Sequence, residues 1–231
     1  MSLKLLALDT STEACSVALS IDGEITQHYQ LAPREHTHLI LGMIENLLQQ
    51  AGLKSSEIDV MAFGRGPGSF MGVRVAAGVV QGIAFAHSIP VVPVSTLAAL
   101  ASVAMEETSE TKVLAAIDAR MKEVYWGAYQ RNESGQVELQ GEECVVAPDK
   151  APIPEQGEWV TAGTGWDSYG DVMKPVLGDR CIQSLDECFP SASAIAKLAI
   201  DSYEKGEAVS AAEAVPVYLR DNVASKPKSV L

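Results

Sequence analysis

Two aspartates stand where a strand-like run meets a polar turn: Asp9 before Thr10-Ser11-Thr12, and Asp118 before Ala119-Arg120. A carboxylate at the carboxyl end of a parallel strand can position a hydrated magnesium ion beside a nucleotide phosphate. Such turns work best with a glycine, which lets backbone amides approach the phosphate closely. Neither turn has one. The chemistry on offer is a weak nucleotide contact by Asp9, Ser11 and Thr12, with Arg120 adding charge. The same residues also make sense as turn-capping groups. Gly163-Thr164-Gly165 offers either an adenosine contact or a plain turn. His36 and His38 supply two imidazoles just before a helix, but His28 lies a strand away and no third ligand is suitably spaced, so no metal site is assigned. Ser69 follows a glycine-rich loop. A nucleophile elbow needs glycine two residues to either side of the serine, and those positions hold Pro67 and Met71. Capping a helix explains Ser69 without chemistry, and no catalytic residue is assigned.

The elements that must carry these residues follow from hydrophobic spacing. Residues 3–9 read as a buried strand, 15–21 as an alternating strand, Asp22-Gly23 as a hairpin turn and 24–31 as a third strand. Ile40, Leu41, Ile44, Leu47, Leu48 and Ala51 share one face of a helix that Gly52 stops. Strands are predicted at 59–63 and 90–94, and helices at 70–87 and 96–105, the second capped by Ser95. The pattern then restarts: Val113-Leu114-Ala115-Ala116-Ile117-Asp118 echoes Leu5-Leu6-Ala7-Leu8-Asp9, with strands at 124–130 and 136–146. Beyond it come a loop at 147–157, a strand at 159–162, a helix at 191–205 and an extended run at 215–220. A repeated unit of this kind predicts an α/β, actin-like ATPase (ribonuclease-H-like) fold. Its two lobes come from a duplicated βββαβα unit, the second copy being degenerate. The expected boundaries are 1–108, 109–223 and a frayed tail at 224–231.

The helix at 70–87 is the most unusual segment. Gly78, Gly82 and Ala86 recur every four residues, and Gly72 and Ala76 form a second row. A glycine inside a helix costs about 1 kcal/mol relative to alanine. Such a ridge makes sense where another helix backbone must come close. The helix is apolar nearly all round, and Leu39 and Met43 widen the stripe of the preceding helix. Together they predict an exposed apolar patch that another subunit covers. Its expected contact residues are Leu39, Met43, Phe70, Val73, Arg74, Ala77, Gly78, Gln81, Gly82 and Phe85. Packing of the ridge on the chain's own sheet is the plain alternative. Arg74 and Gln81 also make this a poor membrane span.

Composition limits the role. The 231 residues are 47% apolar and 20% charged, enough for a sizeable core, and the formal net charge is -13. Phosphate-backbone binding draws on lysine and arginine, and no basic stripe is present, so primary nucleic-acid binding is not expected. The four cysteines form no Cys-x-x-Cys pair, which suits free thiols in a reducing cytosol. The opening residues lack the features of a signal peptide.

The run Gly66-Pro67-Gly68-Ser69-Phe70-Met71-Gly72-Val73-Arg74 resembles the signature of the bacterial TsaB (YeaZ) family. Leu8-Asp9-Thr10-Ser11-Thr12, His36-Thr37-His38-Leu39, Asp118-Ala119-Arg120 with Val124-Tyr125, and Pro216-Val217-Tyr218-Leu219-Arg220 add to the likeness. Met71 stands where that family usually has threonine. The resemblance implies a non-catalytic, cytoplasmic subunit in forming threonylcarbamoyladenosine next to the tRNA anticodon. It implies a helical interface with the catalytic paralogue TsaD, a small ATPase, TsaE, joining the pair, and a homodimer when alone. TsaD's metal-binding His-x-x-x-His motif is not matched by His36 and His38. No tightly bound cofactor is expected of the isolated chain, though ATP or ADP could be shared at the boundary with TsaD. A stand-alone actin-like ATPase or small-molecule kinase is the alternative reading.

Overall fold

Leu5, Leu6, Ala7 and Leu8 are fully buried, as a continuous apolar run between two layers of helix requires. They belong to β1 (Lys4–Asp9), the centre of the first of two sheets in a computed structural model that describes residues 3–220. β2 (Ala14–Ile21) and β3 (Glu24–Leu31) continue the meander antiparallel to it. Asp22 and Gly23 turn between them with φ of 52° and 85°, the paired left-handed residues that a tight hairpin needs. α1 (His36–Gln50) buries Ile40, Ile44, Leu47 and Leu48. β4 (Val60–Gly64) then runs parallel to β1, and after α2 (Gly72–His87), β5 (Val91–Val94) runs parallel to β4. The sheet order is β3-β2-β1-β4-β5.

α3 (Thr96–Thr108) starts at Ser95, whose hydroxyl accepts from the Ala98 amide at 3.3 Å. The second sheet repeats the first. β6 (Lys112–Arg120), β7 (Glu123–Arg131) and β8 (Val137–Val146) form the meander, and β9 (Trp159–Ala162) and β10 (Cys181–Leu185) extend it in parallel. Its order, β10-β9-β6-β7-β8, matches the first sheet strand for strand. The fold is the two-lobed, actin-like α/β arrangement. The degeneracy is specific: where α1 follows β3, only a short 3-10 turn, Pro148–Lys150, follows β8.

β1 to β5 form one sheet and β6 to β10 the other, and two helices exchange sides. α3 packs on β6 and β7, whereas α5 (Ala192–Glu204) crosses back onto β1, β2, β4 and β5. Ser16 and Gln27 of the first sheet accept the Ala192 and Ser193 amides at 2.9 and 2.7 Å, fixing α5 at its start. Two elements have no counterpart in the sequence reading: β10, and α4 (Thr164–Leu177). The helix at 70–87 begins at Gly72, later than predicted, and Ser69 meets the Gly72 amide at 3.4 Å. His36 and His38 lie within the first turn of α1 rather than before it. The run at 215–220 pairs with neither sheet as a strand. It crosses between the lobes: the Val217 amide donates to the Arg65 carbonyl at 2.8 Å, and Arg220 pairs with Glu123. The expected tail at 224–231 lies outside the described residues. Among the described residues no helix is long and apolar enough to cross a membrane.

Candidate partner-binding face and the strand-end turns

Asp9 ends β1 fully buried, with Thr10 and Ser11 equally enclosed and Thr12 nearly so. The segment after β4 seals this turn. A Cβ on Gly68 would stand 2.4 Å from the Ser11 carbonyl oxygen, and one on Gly72 would stand 2.0 Å from that of Thr10. Two bonds lock the approach: the Ser69 amide donates to the Ser11 carbonyl at 2.7 Å, and the Thr10 hydroxyl donates to the Gly72 carbonyl at 2.7 Å. The expectation that Asp9, Ser11 and Thr12 contact a nucleotide is therefore corrected. The chain's own backbone fills the approach to these residues, and Ser11 spends its amide and hydroxyl on Asp9 Oδ1, both at 2.8 Å.

Burial pushes the Asp9 carboxyl up from 3.8 to about 6, against the Ser11 hydrogen bonds that favour its charge. A carboxyl raised in this way adds stability below about pH 4, and that stability is lost as pH rises through about 6. Asp9→Asn, a neutral isostere, is expected to be more stable than wild type above pH 7. The gain is about 3 kcal/mol, from a shift of about two units at 1.36 kcal/mol each. The gap should close as pH falls to 4. Thermal melts of both proteins from pH 4 to 8 check this, and a gap independent of pH contradicts it.

The matching turn in the second lobe is open. Arg120, with its side chain 78% exposed, pairs with Asp118 at 2.9 Å and lies 4.0 Å from Glu13. Arg120, Met121 and Lys122 all have φ between 56° and 63°. Three consecutive non-glycine residues in the left-handed region cost roughly 1 kcal/mol each. That geometry turns Arg120 and Met121 outward. Of the four residues expected at a nucleotide, Arg120 is the one at the surface. Gly163-Thr164-Gly165 is instead where α4 presses on β6. A Cβ on Gly163 would stand 2.4 Å from the Ala116 carbonyl oxygen, and one on Gly165 2.8 Å from the Ala116 Cβ.

α2 divides its residues sharply. Gly72, Val73, Ala76, Ala77, Val80 and Ala84 are buried. Val73 and Ala77, at 1% and 3% exposure, are core residues, which corrects their assignment as partner contacts. Gln81 is also committed internally, donating to the Ala214 carbonyl at 3.0 Å. Leu39 and Met43 are half-buried against the core. Phe70, Arg74, Gly78, Gly82 and Phe85 face outward, with Phe85 81% exposed. A Cβ on Gly78 or Gly82 would meet nothing within 4 Å. Arg74 lies over Phe70, its guanidinium carbon 3.3 Å from the ring centroid, and Tyr218 flanks the pair. Sequence reasoning missed Met71 and Leu41, which are 63% and 59% exposed. Leu41 is one position round from Ile40, so an apolar stripe read too generously took it inward.

The comparisons with known proteins bear on this arrangement. The family model described as "TsaD: tRNA N6-adenosine threonylcarbamoyltransferase" matches residues 21–228. The chain is 43% identical to the "tRNA threonylcarbamoyladenosine biosynthesis protein TsaB" of Escherichia coli (strain K12), covering 97% of each chain. It is 42% identical to the protein of the same name from Haemophilus influenzae, again over 97% of each. The chain belongs to the TsaB family. A solved structure, "YeaZ from Pseudomonas aeruginosa", superposes with a TM-score of 0.89 at 47% identity, covering 94% of this chain and all of that one.

Membership gives the signature run a physical meaning. Gly66 to Arg74 of this TsaB-family chain ties the β1–β2 turn to α2 and to the 215–220 crossing. A Cβ on Gly66 would stand 2.9 Å from the Val217 carbonyl oxygen, at a φ of +101° that favours glycine in any case. His36 is engaged with the Ala14 carbonyl at 3.2 Å and His28 with Gln50 at 3.2 Å. Among the described residues no three His, Cys, Asp or Glu side chains gather as a metal site would require.

Proposed function

We propose that this chain is a non-catalytic, cytoplasmic subunit of the machinery that forms threonylcarbamoyladenosine in tRNA. It docks on a TsaD-type catalytic paralogue through the outward face of α2, helped by Leu41 on α1. One observation carries the reading: Gly78 and Gly82 face open space on a largely apolar helix. Gly72 in the same helix is explained by a close internal contact; the other two are not. Their cost is recovered where a second backbone comes near. Phe70, Met71, Leu41 and Phe85 supply the apolar anchors that interfaces favour. Without the partner, a second copy of this chain covers the same face.

The charge of -13 leaves tRNA to the partner. A TsaE-type ATPase completes the assembly. Any nucleotide shared at the subunit boundary meets Arg120, because the Asp9 turn is closed.

Reconstitution tests this. A purified TsaD-type enzyme with its other components should form the modified nucleoside with this chain and lose at least ~100-fold of its rate without it. Undiminished modification in its absence contradicts the proposal. So does micromolar Mg-ATP binding by the isolated chain that Asp9→Ala removes, since that favours a stand-alone ATPase.

A further inference from the structure

Met71, Arg74, Gly78, Gly82 and Phe85 follow one another at helical spacing, so they form a single stripe along α2 and the residue that opens it. All five are exposed. Met71 heads the stripe. Its neighbour Phe70 carries the Arg74 guanidinium on its ring, and the Tyr218 ring lies 6.0 Å away between centroids. A thioether therefore stands one residue from Phe70 and one helical turn from Arg74. The other methionines among the described residues are placed differently. Met61, Met105 and Met173 are at most 1% exposed. Met43 is half-buried, and its sulfur accepts the Cys15 thiol at 3.7 Å. Met121 is exposed, but it belongs to the second lobe, where its sulfur accepts from Arg220 at 3.7 Å.

Access to the sulfur decides which methionines an oxidant reaches, and a sulfoxide in an apolar interface disrupts it. We propose that Met71 is an oxidation site that controls docking: a hydroperoxide converts it to the sulfoxide, which weakens pairing with the TsaD-type partner. This inference rests on the outward face of α2 being the docking face. In the step, a lone pair of the thioether sulfur takes one oxygen of hydrogen peroxide. The O–O bond breaks, the sulfur is oxidised by two electrons, and water leaves.

The product is close in size to methionine but presents a strongly polar S=O group. Burying that oxygen against a partner without a donor is unfavourable. The donor within one turn is Arg74, and a bond to it draws the guanidinium off Phe70. Either route removes an anchor from the start of the face. A dithiol acting through methionine sulfoxide reductases returns the thioether, with a disulfide and water as the other products, so the change is reversible.

The test exposes the purified full chain to graded hydrogen peroxide. Dithiothreitol then reverses disulfide and sulfenate formation at the cysteines and leaves sulfoxide in place. Peptide mass spectrometry reads sulfoxide at each methionine, and calorimetry with the TsaD-type partner reads affinity. Affinity should fall ~10-fold or more in step with sulfoxide at Met71, and recover after reductase treatment. Met71 should also react more slowly in the preformed complex than in the free chain. Met121→Leu should lose affinity on oxidation as wild type does. Met71→Leu, whatever its starting affinity, should bind equally before and after peroxide. The wild-type correlation decides the matter if that variant pairs too weakly to measure. An unoxidised wild-type chain that does not bind the partner overturns the docking reading itself. Undiminished binding at full Met71 sulfoxide, a loss that follows Met121 instead, or equal reaction of Met71 in the free and paired chain overturns the oxidation proposal.

Discussion

Gly82→Leu should abolish pairing with a TsaD-type partner and leave the isolated chain folded, with a melting temperature equal to or above wild type. The two halves have separate causes. Within the monomer, a side chain at this position enters open space. Replacing a helical glycine by leucine also removes a propensity cost of about 0.8 kcal/mol. Within the complex, the same side chain holds two helix backbones apart along the Gly78–Gly82 ridge and displaces the neighbouring anchor, Phe85. Losing a central contact typically costs 2–4 kcal/mol, so affinity should fall ~100-fold or more. Size-exclusion chromatography of the mixed proteins checks the pairing, and a thermal melt checks the fold. A homodimer using this face should dissociate in the same variant. Co-purification at wild-type affinity would show that the ridge lies outside the interface.

Gly72→Ala, ten residues earlier in the same helix, should do the reverse. The added Cβ would stand 2.0 Å from the Thr10 carbonyl oxygen, a backbone atom that cannot swing aside. Relief requires the start of α2 to leave the β1–β2 turn, breaking the Thr10 hydroxyl's bond to the Gly72 carbonyl. Overpacking of this severity costs about 3 kcal/mol. For a chain of this size that lowers the melting temperature by roughly 10 °C. Pairing should survive at temperatures where the variant is folded, because Gly72 faces inward. A melting temperature within a degree or two of wild type would contradict the close approach.

Much of the architecture was legible because it rests on local patterns. β1 and β6 announce themselves as continuous apolar runs ending in Asp, and Asp22-Gly23 marks its hairpin. The helix α4 was not legible, because Gly165, Gly170 and Pro175 read as breakers. Those glycines are in fact tolerated or required: Gly165 sits against β6, and Trp166, Met173 and Leu177 supply the buried face. The exchange of α3 and α5 between sheets was equally hidden, since spacing tells which face of a helix is apolar and not which sheet receives it.

The candidate site was half legible. Four-residue spacing found Gly78 and Gly82 on the open ridge. It also gathered Val73 and Ala77, because a helix that is apolar nearly all round gives the sequence no polar face to mark its outside. The Asp9 turn misled for a different reason. Its residue types suit phosphate, and the glycines that close it lie 55 or more residues away, in Gly64, Gly68 and Gly72.

The most direct test of the docking face places a photo-crosslinking p-benzoylphenylalanine at position 85 on α2 and, in a second protein, at position 172 on α4. Both native residues, Phe85 and Val172, are exposed and apolar. Irradiated with a TsaD-type partner, the probe at 85 should give a covalent heterodimer and the probe at 172 should give none. Crosslinking from 172 alone, or from neither position in a mixture that still forms the complex, would contradict the account.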